Sequence, residues 1–134
     1  MRVVLDVNVL VSALLSRGGA PGRLVALWLE GAFELVVSEQ LLAELAQAPA
    51  YPKLRDRIRE QDVSELIQLL RVTASVAADL SDPPRVSADP GDDYLIALAS
   101  TSASVLVSGD GHLLALAPAL PIHDPAGLLE MLGY

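Results

Sequence analysis

Val3-Val4-Leu5-Asp6-Val7-Asn8-Val9-Leu10 is the stretch that decides how this chain reads. A short apolar, largely β-branched run ends in a carboxylate, and an apolar face of helical period begins at once. The pattern recurs. Leu35-Val36-Val37 precedes a helical segment bearing Glu44, and Val105-Leu106-Val107 precedes Ser108-Gly109-Asp110. Asp92 opens the helical stretch Tyr94-Leu95-Ile96-Ala97-Leu98-Ala99. Unbroken apolar runs are the mark of strands buried on both faces, and their alternation with helices implies a parallel sheet covered on both sides. Ligands of such sheets bind outside the carboxyl ends of the strands. Carboxylates gathered there repel one another unless a cation neutralises them, and hard oxygen ligands suit Mg²⁺ or Mn²⁺.

Size and composition set the frame. The 134 residues suit one compact domain spanning 1–134. Hydrophobic residues make up 52% and aromatics only 4%, so Leu, Val and Ala should build the core. No apolar stretch approaches the roughly 18 residues of a membrane span. The first residues carry no basic segment followed by a small-residue cleavage site, and cysteine is absent. A soluble protein of the reducing cytoplasm is the expectation. The net charge of −8 opposes long-range attraction to nucleic acid. Its distribution softens that objection: Lys53, Arg55, Arg57 and Arg59, four of the nine basic residues, fall within one short segment, and five of the seventeen acids lie between Asp79 and Asp93.

Turn and cap signals divide the chain further. Strands are expected over 2–7, 34–37, 71–75 and 104–107, with a last one near Ile122. Helices are expected from Asn8 to the Gly18-Gly19 break, from Pro21 to Gly31, and from an N-cap at Ser38 to Ala46. Two more are expected over 52–59 and 62–71, then one over 92–102, a short one after Gly111 and a last one from Ala126. Residues 78–91, rich in proline and acid, read as loop.

Individual residues carry alternatives. Asp6 and Asn8, two apart, would project to one side of an extended chain, or form an Asp-x-Asn turn capping a helix. Asp92 and Asp93 compete for one role. From Asp92 the offsets +3, +4 and +7 reach Leu95, Ile96 and Ala99, a better buried face than Ile96, Ala97 and Ser100 from Asp93. Asp92 is therefore favoured to face the site and Asp93 to cap the helix, with Asp93 kept as a candidate ligand. Asp89 reads as the start of a turn. On a helix, Lys53 with Arg57 and Arg55 with Arg59 would form a basic ridge for phosphates, or a plain solvated face. Arg17 and Arg23 flank the glycine break and are further candidates for RNA contact. His112 and His123 lack partners at metal-ligand spacing and read as structural. Trp28, among Leu24, Val25 and Leu27, reads as core or as an oligomer contact.

Four motifs in order resemble the PIN-domain family, metal-dependent ribonucleases that include the VapC-type toxins. Val4-Leu5-Asp6-Val7-Asn8 resembles the N-terminal motif, and Ser38-Glu39-Gln40-Leu41-Leu42-Ala43-Glu44-Leu45 the second. Asp89-Pro90-Gly91-Asp92-Asp93-Tyr94-Leu95-Ile96-Ala97 resembles the third, in a form closest to a subgroup associated with toxin components. Leu106-Val107-Ser108-Gly109-Asp110 resembles the fourth. The resemblance implies a three-layer α/β/α sandwich around a parallel sheet of about five strands. It implies Asp6, Glu44, Asp92 and Asp110 as catalytic ligands of Mg²⁺ or Mn²⁺, with Asn8 and Ser108 in support. Hydrolysis of RNA to leave a 5′-phosphate is the implied reaction. A small antitoxin partner and a homodimer, with surfaces drawn from 24–29 and 41–45, go with it. A phosphate-accepting receiver and a haloacid-dehalogenase-type phosphatase both want a late lysine, and the single lysine is Lys53. A PIN-like scaffold without activity is the remaining alternative.

Overall fold

Val3, Val4 and Leu5 are buried to within 1%, and so are Leu35, Val36 and Val37, as strands covered on both faces must be. The structure, a computed structural model, describes residues 1–134. Its strands are β1 (Arg2–Leu5), β2 (Glu34–Val37), β3 (Ser75–Val76), β4 (Val105–Val107) and β5 (Ile122–His123). They form one parallel sheet in the order β3-β2-β1-β4-β5. The helices are α1 (Val7–Leu15), α2 (Ala20–Leu29), α3 (Glu39–Gln47), α4 (Glu60–Thr73), α5 (Asp93–Thr101), α6 (Gly111–Leu114) and α7 (Pro125–Met131). The expected three-layer α/β/α sandwich is what forms.

The strand order fixes where a ligand would bind. From β1 the chain builds outward through β2 and β3 on one side, then returns to add β4 and β5 on the other. The β1–β4 boundary is thus the switch point, where the connections leave in opposite directions and open a crevice. Register there pairs Val3 with Val105, Val4 with Leu106 and Leu5 with Val107. The loops after β1 and β4 therefore emerge side by side.

Around the sheet, α1 packs on α2 and α3, α2 on α7, and α3 on α4, while α5 lies across β1 and β4. The core is one contiguous cluster of 32 residues dominated by Leu and Val. Trp28 belongs to it at 5% exposure, as do Leu24, Leu27, Leu41, Leu42 and Leu45. Each such side chain contributes about 1.5–3 kcal/mol by leaving water. The apolar residues offered as partner surfaces are thus mostly interior, and only Val25, Ala26 and Leu29 of the first group reach the surface. No helix is long and apolar enough to cross a membrane.

Two expected elements are corrected. Residues 52–59 form turns, not a helix, although Arg55 and Ile58 amides reach the carbonyls of Tyr51 and Leu54. So short a segment needs tertiary burial to stay helical, and only Ile58 is buried, while like charges four apart repel along a helix. The basic ridge consequently does not exist as read. The helix expected over 62–71 runs on through Thr73, which shrinks the next strand to Ser75–Val76.

Helix ends follow local chemistry. Ser38 Oγ accepts the Leu41 amide (3.3 Å) and Asp79 Oδ2 accepts that of Gln40 (2.9 Å), so α3 begins on two oxygen caps. α2 ends with Gly31 at φ 88°, its amide on Trp28 O and the Ala32 amide on Leu27 O. This double closure needs a left-handed residue, which glycine supplies without steric cost. α5 ends the same way, Ser104 N bonding Ala99 O, but the left-handed residue is Ala103 at φ 53°. An L side chain there costs about 1–2 kcal/mol. Ala103→Gly should therefore raise the urea midpoint by the equivalent of about 1 kcal/mol, while Gly31→Ala should lower it by a similar amount.

Candidate active site

The site is built where β1 and β4 end. Asp6 follows β1 directly; its amide donates to Val107 O (2.9 Å) and so prolongs the parallel ladder by one step. Its side chain is 5% exposed and cannot wander. Ser108, wholly buried after β4, donates its hydroxyl to Asp6 Oδ2 (2.7 Å) and accepts the Asp110 amide (3.0 Å). One hydroxyl thereby pins the first acid and sets the turn that carries the last. Asp110 itself caps α6, its Oδ1 accepting the His112 amide at 2.9 Å.

Glu44 and Asp92 arrive from the flanking helices. Glu44 lies half-buried in the second turn of α3, and its Oε2 accepts the hydroxyl of Tyr94 from α5. Asp92 closes the 3₁₀ turn Pro90–Asp92 and is the residue from which α5 starts. That turn is itself capped by Asp89, whose Oδ1 accepts the Gly91 amide (2.9 Å).

Electrostatics show that these groups share one field. Burial, then the charges of Asp6, Asp89, Asp110 and Glu44, push the Asp92 carboxyl up to about 6. Asp6 is raised by its burial, against the Ser108 hydroxyl and the amides of Asn8 and Val7, with Asp110 adding to the rise. The Tyr94 phenol is raised by burial and by its bond to Glu44, so it stays protonated as a donor. The ion pairs of the chain lie elsewhere: Arg2–Glu34, Arg59–Asp62, Arg71–Glu39 and Arg85–Asp93. Asp6, Glu44, Asp92 and Asp110 thus crowd negative charge with no cationic side chain to meet it.

That donor set suits a hard divalent cation, as all-oxygen carboxylate sites do. No three acids are drawn together tightly enough to form a ligand shell as they stand. The fit rests on the chemistry of the donors and on the missing counter-charge.

The structure separates the two adjacent aspartates. Asp93, 1% exposed, turns its Oδ1 to the amides of Val86 (3.1 Å) and Ser87 (2.7 Å), with Arg85 Nε at 3.8 Å from Oδ2. These amides hold its carboxyl below the usual range. It anchors the 85–87 loop and does not join the other acids, correcting its place among the candidate ligands. Neighbours on a helix point about 100° apart, so the two side chains leave the turn in different directions.

The remaining candidates are placed less centrally. Asn8 is exposed, and it is its backbone amide that faces Asp6. Lys53, Arg55 and Arg57 are exposed on the turn segment, while Arg59 pairs with Asp62 at 3.0 Å. Arg23 is exposed on α2, and Arg17 lines an apolar groove between α1, α2 and α4. Asp89 begins the turn, as expected, and Tyr94 was missed as a neighbour of the site. The available signal for Tyr94 was one phenol in an aliphatic helix beside two acids, since a buried tyrosine hydroxyl usually finds a partner.

A Rossmann-like switch-point crevice lined by strand-end acids is the architecture of a PIN domain, and the PIN domain sequence profile matches residues 2–112. The chain belongs to the PIN-domain family, whose members are nucleases that generally use divalent metal ions. An uncharacterized protein of Methanocaldococcus jannaschii is 28% identical over 118 residues, 87% of this chain and 75% of that protein. Among solved structures the chain resembles VapBC2 from Rickettsia felis bound to a fragment of its promoter DNA, at TM-score 0.63 and 13% identity. The match covers 92% of this chain and 98% of that one. It also resembles VapBC-1 from nontypeable Haemophilus influenzae, at TM-score 0.61 and 16% identity, over 94% and 99% of the two chains.

The crowding has a measurable cost. A carboxyl raised on folding binds its proton more tightly in the folded chain, so stability falls as pH rises from the unfolded value of 3.8 to about 6. Above that window the loss is complete. The metal-free protein should therefore melt at a higher temperature near pH 5 than near pH 7.5, and Asp92→Asn should flatten that difference in a thermal scan.

Proposed function

We propose that residues 1–134 act as one PIN domain, a metal-dependent endoribonuclease serving as the toxin of a bacterial toxin–antitoxin pair. The observation that carries this reading is that the charges of Asp6, Asp110 and Glu44 all act on Asp92 while none of the four has a cationic partner, at the switch point of a PIN-family chain. In it, Asp6, Glu44 and Asp92 would hold Mg²⁺ or Mn²⁺ directly, and Asp110 through water. The chemistry a divalent cation supplies at such a site is activation of water for attack and neutralisation of phosphoryl charge. Ser108 keeps Asp6 in place through its 2.7 Å bond, with Asn8 beside it at the head of α1. Hydrolysis on the 3′-oxygen side leaves a 5′-phosphate.

Substrate and partner surfaces follow from the exposed residues. Lys53, Arg55, Arg57, Arg59 and Arg23 are assigned to the RNA backbone, where each cation gains by releasing counterions. The groove of about 400 Å³ lined by Leu10, Leu14, Arg17, Val25, Leu29 and Leu66 is assigned to an antitoxin segment. The two VapBC structures support this, as do Leu29, 52% exposed at its rim, and the apolar lining that suits an amphipathic helix. A homodimer in the cytoplasm completes the reading.

A mixed RNA pool incubated with Mg²⁺ or Mn²⁺ tests it. Wild-type protein should cleave, EDTA should abolish cleavage, and Asp6→Asn should lose about 100-fold or more with the fold kept by circular dichroism. Equal activity of wild type and Asp6→Asn would sink the assignment. Inertness of both, with no cation bound, would point instead to a scaffold.

A further inference from the structure

The feature with most left to explain is Tyr94. Its ring is 4% exposed within the core cluster, and its hydroxyl emerges at Glu44, fifty residues earlier in the sequence. Burial of the ring alone would be served equally by phenylalanine. The hydroxyl adds a desolvation cost that only a partner offsets, and the partner is an acid of the cluster.

Glutamate on a helix is a poor fixed ligand, because its long side chain samples many rotamers. Asp6 is held by Ser108, and Asp110 by its cap on α6. Glu44 has neither a salt bridge nor a backbone amide, and the phenol is its one hydrogen-bond donor in the chain. A phenol carries its proton at neutral pH and donates once, so it commits Oε2 and leaves Oε1 its lone pairs. By taking up part of the Glu44 charge it also eases repulsion with Asp92.

We propose that Tyr94 is a positioning residue for the cation site, its buried hydroxyl fixing Glu44 so that the other oxygen is presented to a divalent ion. The proposal deepens the nuclease reading and rests on its assignment of Glu44 as a ligand. It makes Tyr94 the counterpart of Ser108: Glu44 and Asp6 are each held by one hydroxyl of another element. Outer partners of this kind are typically worth 10–100-fold in metal affinity.

The test titrates metal-depleted protein with Mn²⁺, followed by water-proton relaxation, in a double-mutant cycle of Tyr94→Phe and Glu44→Gln. Tyr94→Phe keeps the buried ring. It should weaken Mn²⁺ binding about 10-fold or more in the wild-type background, and have no further effect beside Glu44→Gln. Unchanged or tighter binding by Tyr94→Phe overturns the proposal. So does a loss that persists in full beside Glu44→Gln, because Tyr94 would then act through the scaffold. A wild-type chain that binds no Mn²⁺ overturns both the proposal and the cation site beneath it. Mn²⁺ binding that depends on Tyr94 without any RNA cleavage upholds the positioning role and removes only the nuclease reading.

Discussion

The pairing of β1 with β4, prolonged beyond the strands by Asp6 N–H to Val107 O and by the Ser108 hydroxyl to Asp6, is the junction on which the rest of the molecule depends. It is a register constraint before it is a chemical one. A slip of one residue would turn Val105 and Val107 to the opposite face and move Ser108 away from Asp6. Val3, Val4, Leu106 and Val107 are all buried to within 1%, so the pairing is enclosed by packing on both faces. The site inherits its geometry from this apolar pairing. The polar bonds at its end refine a position already imposed by packing.

The same junction concentrates charge that works against the fold. Asp92 and Asp6 both hold protons more tightly in place than free in solution, chiefly through burial, with the charges of Asp6, Asp89, Asp110 and Glu44 adding at Asp92 and that of Asp110 at Asp6. The core must offset that penalty, and a chain of mostly Leu, Val and Ala does so by filling both faces of the sheet. Asp93 shows the contrasting use of the same residue type. With two amides and an arginine around it, a buried carboxylate secures a loop. Adjacent positions thus hold one acid arranged for stability and one arranged against it, as functional sites commonly are.

Much of this was legible in the sequence because apolar runs and strand-end acids are local signals. Strand 34–37, the Ser38 cap and the succession of strands and helices need only neighbours to be read. Segment 52–59 misled because its helical spacing was real, while the burial that would sustain a helix was absent. A preference for Asp92 over Asp93 at the site was readable from the periodicity of Leu95 and Ala99. What Asp93 does instead was not, since its partners lie in an irregular loop. The partner of Tyr94 was hidden for a related reason: it lies in another helix, and no periodicity links α5 to α3. Sequence reveals which residues a single element presents. It does not reveal which elements will meet.

The bond between Ser108 and Asp6 joins residues 102 apart. Synthesis proceeds from the N-terminus, so Asp6 and Glu44 leave the ribosome long before the strand that completes their crevice. Until Val105–Val107 pairs with β1, the switch point does not exist and Asp6 has neither its ladder step nor its hydroxyl partner. Closing so long a loop is also a late event in folding. A chain cut short before β4 carries Asp6, Glu44 and Asp92 but neither Asp110 nor the site. The topology thus delays assembly of the crevice until β4 has been made and has paired with β1.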